Sequence, residues 1–351
     1  MRLALDAMGN DRGAPPLLAG TLRYVSQHPE DTVLLVGDPD KLDPLLADWP
    51  AAARGRIEIV AARQVIEMGE KVSALRQKRD SSVVRLVETV VEGRAEAMIA
   101  LGNTAAAVGA ATIGMRMLPG VRRAGIAVPM PTRLGTPCVV IDMGANTAAQ
   151  PAHLACYGVM ASAYAERVLK RPNPRVGLLN VGEERGKGND DLREAFALLE
   201  ASPLNFVGNV EGGDIFRGEC DVVVCEGFVG NVVLKAAEEM VGAMSSWMRE
   251  AFTSSWVAKI GALLTRSALM KVRQKVDYAA YGGASLLGVK GICVIGHGRS
   301  SPDAVYNALR FARESVRQEI NKNISEAMAA LAGTVPTSLP AAGDSAVVAE
   351  G

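Results

Sequence analysis

Aromatic residues are scarce in this chain, at 4% of 351 residues, whereas hydrophobic residues together reach 49%. A core of this composition is built mainly from Ala, Val, Leu and Ile, and a chain of this length can bury a substantial one. The sequence has no run of about 18 apolar residues, so we expect no membrane-spanning helix. Its first residues contain too short an apolar stretch for a signal peptide, so we expect a soluble protein that can still contact a membrane surface.

An excess of charge of either sign is also missing, because 38 basic residues balance 38 acidic ones. A neutral chain has no overall field to attract nucleic acid, so nucleic acid is not an expected partner. The five cysteines include no CxxC pair and no histidine at zinc spacing, which predicts no metal site and buried, reduced thiols in a cytoplasmic protein. We expect no cofactor, since no GxGxxG pattern follows the first predicted strand.

Short apolar runs alternate with helical stretches along most of the chain. This alternation predicts a three-layer α/β fold with a mostly parallel sheet. We expect a single α/β catalytic domain over residues 1–332 and a disordered tail over 333–351. One long helix is predicted from 302 to about 331, and a tight turn over 281–285. The predicted strands cover residues 3–7, 32–36, 57–60, 97–100, 138–142, 176–181, 206–207, 221–225 and 291–295.

Glycines and polar residues follow many of these strands. Because the carboxyl ends of parallel strands meet at one edge of a sheet, we expect these residues to line a single crevice. For Asn103 or Thr104 the alternative is an ordinary helix N-cap. The polar candidates for binding substrate or phosphate are Asp6, Asn103, Thr104, Asp142, Asn146, Asn189, Asn209 and Asn231, and the glycine candidates are Gly144, Gly186, Gly188 and Gly230.

The loop GEERGKGND carries the clearest signal for a ligand. Lys187 lies between Gly186 and Gly188 just before a predicted helix, where free N–H groups and the helix dipole favour an anion. The spacing from Gly182 to Gly186 is one residue short of a nucleotide P-loop, and Gly188 stands where that motif needs Ser or Thr. We therefore predict phosphate binding without a nucleotide. An ordinary surface loop is the alternative.

Only one of the three histidines follows a predicted strand in a glycine-rich loop. This residue is His297, in the sequence GHGRSS, and it is the one predicted site histidine. A purely structural role is the alternative for His297. We predict structural roles for His28 and His153.

The sequence changes character after Lys235. Met240, Met244 and Met248 recur at helical spacing, and residues 251–276 contain no acidic residue. The pattern predicts a protruding amphipathic helical segment over about 236–280 that binds a membrane surface or an acidic partner. A dimer interface or a core helix is the alternative. The apolar candidates for this contact are Phe252, Trp256, Ile260 and Leu263, and the basic candidates are Lys259, Arg266, Lys271 and Arg273.

Eight motifs occur along the chain in this order: ALDAMGND, GNT, DMGAN, GLLNVGEERGKGN, GNVEG, GFVGNVVLK, YGGASLLGVKG and GHGRSS. They resemble those of the bacterial phosphate acyltransferase family called PlsX, in family order over residues 1–320. The resemblance implies a homodimer with a fold like that of phosphate acetyltransferases and isopropylmalate dehydrogenases. It also implies acyl transfer from acyl carrier protein to inorganic phosphate for glycerolipid synthesis, peripheral membrane contact after Met240, and catalytic roles for Lys187 and Asn231.

Phosphate is already a nucleophile at neutral pH, so such a reaction needs no covalent intermediate. Lys187 and the N–H groups around Gly186 and Gly188 would hold phosphate, while Asn231 would donate to the developing oxyanion. The sequence has no GxSxG motif, which argues against an acyl-enzyme. Two other classes of protein are the alternatives to this function. They are a nicotinamide dehydrogenase on a related fold and a non-enzymatic adaptor for acyl carrier protein or lipid.

Overall fold

The structure is a computed structural model that describes residues 1–276 and 283–334. Strands and helices alternate along most of it. The strands are β1 Arg2–Asp6, β2 Thr32–Gly37, β3 Ile57–Ala61, β4 Ala97–Ala100, β5 Gly125–Met130, β6 Cys138–Ile141, β7 Arg175–Leu179, β8 Asn205–Val210, β9 Val222–Val224, β10 Ala284–Leu287 and β11 Ile292–Ile295. The helices are α1 Ala14–Gln27, α2 Pro39–Leu46, α3 Ala51–Arg54, α4 Ala74–Gln77, α5 Ser82–Val91, α6 Thr104–Met115, α7 Pro151–Arg167, α8 Asp190–Glu200, α9 Asp214–Arg217, α10 Gly227–Thr253, α11 Trp256–Val276, α12 Pro302–Arg317 and α13 Ile320–Thr334.

The strands form one 11-stranded sheet in the order β3-β2-β1-β4-β11-β10-β5-β6-β9-β7-β8. The first five strands in this order are mutually parallel. The last four, β6, β9, β7 and β8, are also mutually parallel. Between the two groups, the pairings β11–β10, β10–β5 and β5–β6 are antiparallel. Three reversals mean that the two parallel groups run in opposite directions.

Helices cover both faces of the sheet, which gives the three-layer α/β fold predicted from the sequence. Apolar residues on both faces of the strands explain the two helical layers, because successive side chains of a strand point to opposite faces of the sheet. Leu3 and Leu5 of β1 join a buried cluster with residues of α1, α7, α8, α12 and α13. Ala4 between them joins a second buried cluster with residues of α4, α5 and α6.

The predictions from sequence are wrong at the two strands that reverse direction, β5 and β10. β5 was not predicted, and it contains Pro129, a residue that disfavours strands because it lacks an N–H donor. The predicted turn over 281–285 is wrong at Ala284 and Ser285, which begin β10 and pair with β5 or β11. Residues 277–282 lie outside the described part of the chain.

The predicted long helix after Pro302 is two helices, α12 and α13. They are separated at Glu319, whose φ of 48° lies in the left-handed region and ends the first helix. α13 extends to Thr334, two residues into the predicted tail. Residues 335–351, the rest of that tail, lie outside the described residues.

α10 and α11 form a hairpin that projects its apolar side chains into solvent. The predicted apolar stripe is divided between the two helices, since α10 ends at Thr253 and α11 begins at Trp256. Trp256 is 74% exposed, Leu263 70% and Leu264 78%. The side chains of Lys271 and Arg273 lie outside the described residues. Among the helices that the structure describes, none has the length and apolar character to cross a membrane.

Candidate active site

Asn180 stabilises the loop after β7, although it is not among the site residues predicted from the sequence. Its Nδ2 donates to the carbonyl oxygen of Lys187 at 3.1 Å, and its Oδ1 accepts from the N–H of Val181 at 2.8 Å. Gly188 has a φ of 85°, and a Cβ there would lie 2.8 Å from Asn180 Oδ1. Glycine at 188 therefore lets the loop close over Asn180. Val181 is 81% exposed and lies outside β7, so its predicted place in the strand is wrong.

Lys187 projects from this loop with half of its side chain exposed. Its Nζ lies 3.7 Å from Glu184 Oε2, and its backbone N–H donates to the Glu184 carbonyl oxygen at 3.0 Å. One long ion pair leaves ammonium hydrogens available to an anion. Gly186, unlike Gly188, has room for a side chain, because a Cβ at 186 would meet no atom within 4 Å.

Two of the predicted phosphate ligands make bonds that support this loop. Asn189 is the N-cap of α8, and its Oδ1 accepts from the N–H of Leu192 at 2.9 Å. Asn209 is buried at the end of β8, and its Nδ2 donates at 2.9 Å to the Glu184 carbonyl that also accepts from Lys187. Both residues hold the loop and helix in place. Their contact with phosphate stays a prediction.

Asp142 lies fully buried after β6 and organises the next loop. Its carboxylate accepts from the backbone N–H groups of Ile126, Gly144, Ala145 and Asn146, and also from Asn146 Nδ2. Burial raises the pKa of the Asp142 carboxyl, and these N–H donors oppose that shift. With its oxygens occupied in this way, Asp142 shapes the loop that carries Gly144.

Glycines let the start of α10 approach this loop. A Cβ at Gly227 would lie 2.4 Å from the Asn146 carbonyl oxygen, and one at Gly230 would lie 1.9 Å from the Asp142 carbonyl oxygen. The helix begins at Gly227 and not at Val232, the start predicted from the sequence. Asn231 stands one turn inside the helix, so its side chain rather than a free N–H is available.

The side chain of Asn231 is exposed and lies beside the Asp142 loop. Gly144 has a φ of 126°, and a Cβ there would lie 3.4 Å from Asn231 Cβ. β9 leads into α10 and lies in the sheet between β6 and β7. The loop bearing Lys187 and the helix bearing Asn231 therefore leave the sheet at the same edge, on adjacent strands.

The expected single crevice is wrong, because the predicted residues form two groups. The strands before Asp142, Lys187, Asn209 and Asn231 all run in one direction. β1, β4 and β11, which precede the remaining candidates, run in the other direction. The opposite edge of the sheet therefore carries the second group, which consists of Asp6, Asn103, Thr104 and His297.

The second group contains mainly structural contacts. Asp6 is buried, its Oδ1 accepts from the N–H of Met8 at 2.9 Å, and burial raises the pKa of its carboxyl. Asn103 caps α6, as the alternative interpretation expected, and its Nδ2 donates to the Glu67 carbonyl oxygen at 2.9 Å. Thr104 is exposed in the first turn of the same helix.

The histidines differ in environment. His153 is buried and forms a capping box at the start of α7, where its Nδ1 accepts from the N–H of Gln150 at 3.0 Å. Burial, aided by the charges of Arg123 and Arg122, lowers the pKa of His153 to about 4. His297 is exposed, and its Nδ1 accepts from the N–H of Arg299 at 3.3 Å.

All five cysteines are free and buried, as predicted. Cys225 lies nearest to the Asp142 loop, and its Sγ donates to the Asp142 carbonyl oxygen at 3.3 Å. Burial raises the pKa of the Cys225 thiol far above its usual range. A buried thiol that resists ionisation is a poor nucleophile, so the geometry disfavours a cysteine acyl-enzyme.

Comparison with solved structures defines the class of fold. A phosphotransacetylase from Streptococcus pyogenes matches with a TM-score of 0.61 and 16% identity, covering 90% of this chain and 94% of that chain. EutD phosphotransacetylase from Staphylococcus aureus matches with a TM-score of 0.58 and 16% identity, covering 93% and 94%. This confirms the predicted likeness to phosphate acetyltransferases in fold.

Comparison of sequences then gives the family. The chain belongs to the family described as "Fatty acid synthesis protein", which matches residues 1–323. The phosphate acyltransferase of Heliobacterium modesticaldum is 45% identical over 328 residues, covering 93% of this chain and 97% of that protein. The phosphate acyltransferase of Bordetella petrii is 41% identical over 345 residues, covering 98% of each. The predicted family and its acyltransferase class are confirmed.

Proposed function

We propose that this acyltransferase moves a fatty acyl group from acyl carrier protein to inorganic phosphate and so produces acyl phosphate for phospholipid synthesis. The observation that carries the proposal is that Lys187 and Asn231 follow adjacent parallel strands at the same edge of the sheet, in a chain related to phosphate acyltransferases. A cation and an amide donor at one sheet edge suit an anionic nucleophile that attacks a carbonyl.

In the proposed reaction a phosphate oxygen attacks the thioester carbonyl. A C–O bond to phosphate forms, the C–S bond breaks, and the electron pair leaves with sulfur as a thiolate. Lys187 offsets the charge of phosphate, and the amide of Asn231 donates to the oxyanion that develops on the carbonyl oxygen. The leaving thiol has an ordinary pKa of about 8.5 and departs without an obligatory acid.

The α10–α11 hairpin supports two further parts of the proposal. Its exposed Lys259 and Arg266 suit the acidic surface of acyl carrier protein, and its exposed Trp256, Ile260 and Leu263 suit a membrane interface. We place the enzyme in the cytoplasm as a homodimer that contacts the inner face of the cytoplasmic membrane. A subunit interface is the competing use of the same apolar side chains.

The experiment is incubation of the purified chain with acyl-acyl carrier protein and ³²P-labelled phosphate. The expected product is labelled acyl phosphate, which hydroxylamine converts to the acyl hydroxamate with release of the label. Free thiol should appear in equal amount. Release of free fatty acid without label in the organic phase would show a thioesterase, and binding of acyl carrier protein without turnover would show an adaptor.

A further inference from the structure

Ala124, just before β5, and Ile126, within it, are joined to the Asp142 loop by three hydrogen bonds. The Ala124 carbonyl oxygen accepts from Asn146 Nδ2 at 2.6 Å. The Ile126 N–H donates to Asp142 Oδ1, and its carbonyl oxygen accepts from the N–H of Met143, both at 2.9 Å. Arg123 directly precedes Ala124, so its backbone stands at the flank of the loop in which a Cβ at Gly144 would lie 3.4 Å from Asn231 Cβ.

Arg122 and Arg123 bring positive charge to this flank. Arg122 is exposed and Arg123 is half-buried. Neither has an ion-pair partner among residues 1–276 and 283–334. Arg171 and Arg175 show the contrast, since both bind the buried Asp221. The pair at 122–123 is thus a source of positive charge that the described protein leaves unneutralised.

The charge of Arg123 acts on two side chains near the Asp142 loop. Its charge contributes to the low pKa of the buried His153, and it also opposes the rise that burial causes in the pKa of Tyr157. The hydroxyl of Tyr157 accepts from Asn146 Nδ2 at 2.8 Å. The guanidinium is therefore within electrostatic reach of the hydrogen-bonded group that fixes Asn146.

We propose that Arg123 is a second phosphate-binding residue, which contacts the acceptor phosphate from the side of the Asp142 loop while Lys187 contacts it from the β7 loop. This inference rests on the proposed function. A guanidinium can donate two parallel hydrogen bonds to phosphate oxygens, which fixes orientation in a way that a lysine cannot. The phosphodiester of the carrier's pantetheine arm is the other source of the same chemistry.

The test compares Arg123→Gln with Arg122→Gln as a neighbouring control. Arg123→Gln removes a charged hydrogen-bonding group, so the KM for phosphate should rise by ~10- to 100-fold. The KM for acyl-acyl carrier protein should stay within ~2-fold of the wild-type value. Arg123→Lys should recover part of the loss, because charge returns without the planar fork. Arg122→Gln should change either KM by less than ~3-fold.

Two measurements separate binding from a structural role. Calorimetric titration with inorganic phosphate should show weaker binding in Arg123→Gln, while circular dichroism melting should match the wild type. If Arg123→Gln does not fold, Arg123→Lys carries the same comparison. An unchanged phosphate KM, or a rise confined to the KM for acyl-acyl carrier protein, overturns the inference. Either result leaves the proposed function intact as long as the wild type makes acyl phosphate.

Discussion

Replacement of Gly230 by alanine tests whether the close approach of α10 to the Asp142 loop positions Asn231. A Cβ at Gly230 would lie 1.9 Å from the Asp142 carbonyl oxygen, whereas contacts under 3.0 Å essentially never occur. The two backbones must separate by about 1.1 Å, and a displacement of that size near reacting groups costs ~100-fold in rate. Overpacking should also lower the free energy of unfolding by about 1–3 kcal/mol.

Gly242 is the matched control, because it lies in the same helix and a Cβ there would meet no atom within 4 Å. Gly242→Ala should keep wild-type turnover and stabilise the helix by about 0.5–1 kcal/mol. The assay measures acyl phosphate formation in solution, together with urea unfolding for each variant. If Gly230→Ala is soluble and stays within ~3-fold of wild-type turnover, the contact does not position Asn231.

Four further outcomes are expected. Lys187→Ala should abolish acyl phosphate formation without loss of stability, whereas Arg185→Ala in the same exposed loop should stay active; equal activity in both would remove Lys187 from the mechanism. Replacement of all five cysteines should leave turnover in any soluble product, and a trapped cysteine acyl-enzyme would contradict this. Trp256→Glu with Ile260→Glu should release the protein from liposomes while soluble turnover remains; loss of the dimer on a sizing column would instead show a subunit interface. Burial lowers the pKa of His153 from its ordinary 6.5 to about 4 in the folded protein, so unfolding should take up a proton between these pH values. The free energy of unfolding should therefore fall as the pH drops from 6.5 to 4. In urea unfolding at several pH values, His153→Gln should make this fall smaller.

Local patterns predicted much of the fold. β7, its glycine-rich loop and α8 follow in the expected order because an apolar run and a cluster of glycines and polar residues are signals within one short stretch. Asn103 is an N-cap, as the alternative interpretation of its motif predicted, whereas the N-cap role of Asn189 was not predicted. The buried cysteines follow from their apolar neighbours.

Strand direction could not be read in the same way. The antiparallel pairings of β5 and β10 reverse the direction of the strands, yet these two strands are distant in sequence. Pro129 also makes β5 hard to predict, because proline disfavours strands. That reversal divides the strand-end residues between two edges of the sheet. The close approach of Gly230 to Asp142 and the hydrogen bond between Asn146 and the Ala124 carbonyl oxygen are likewise long-range features, visible only once β5, β6 and α10 come together.

The central claim is that the Asn231 amide stabilises the transition state of phosphate attack, and steady-state kinetics of Asn231→Ala test it most directly. Loss of one oxyanion donor predicts a ~100- to 1,000-fold fall in kcat. The KM for phosphate should stay within ~3-fold of wild type, because Lys187 still holds the nucleophile. A wild-type kcat, or a rise in KM alone, would contradict the claim.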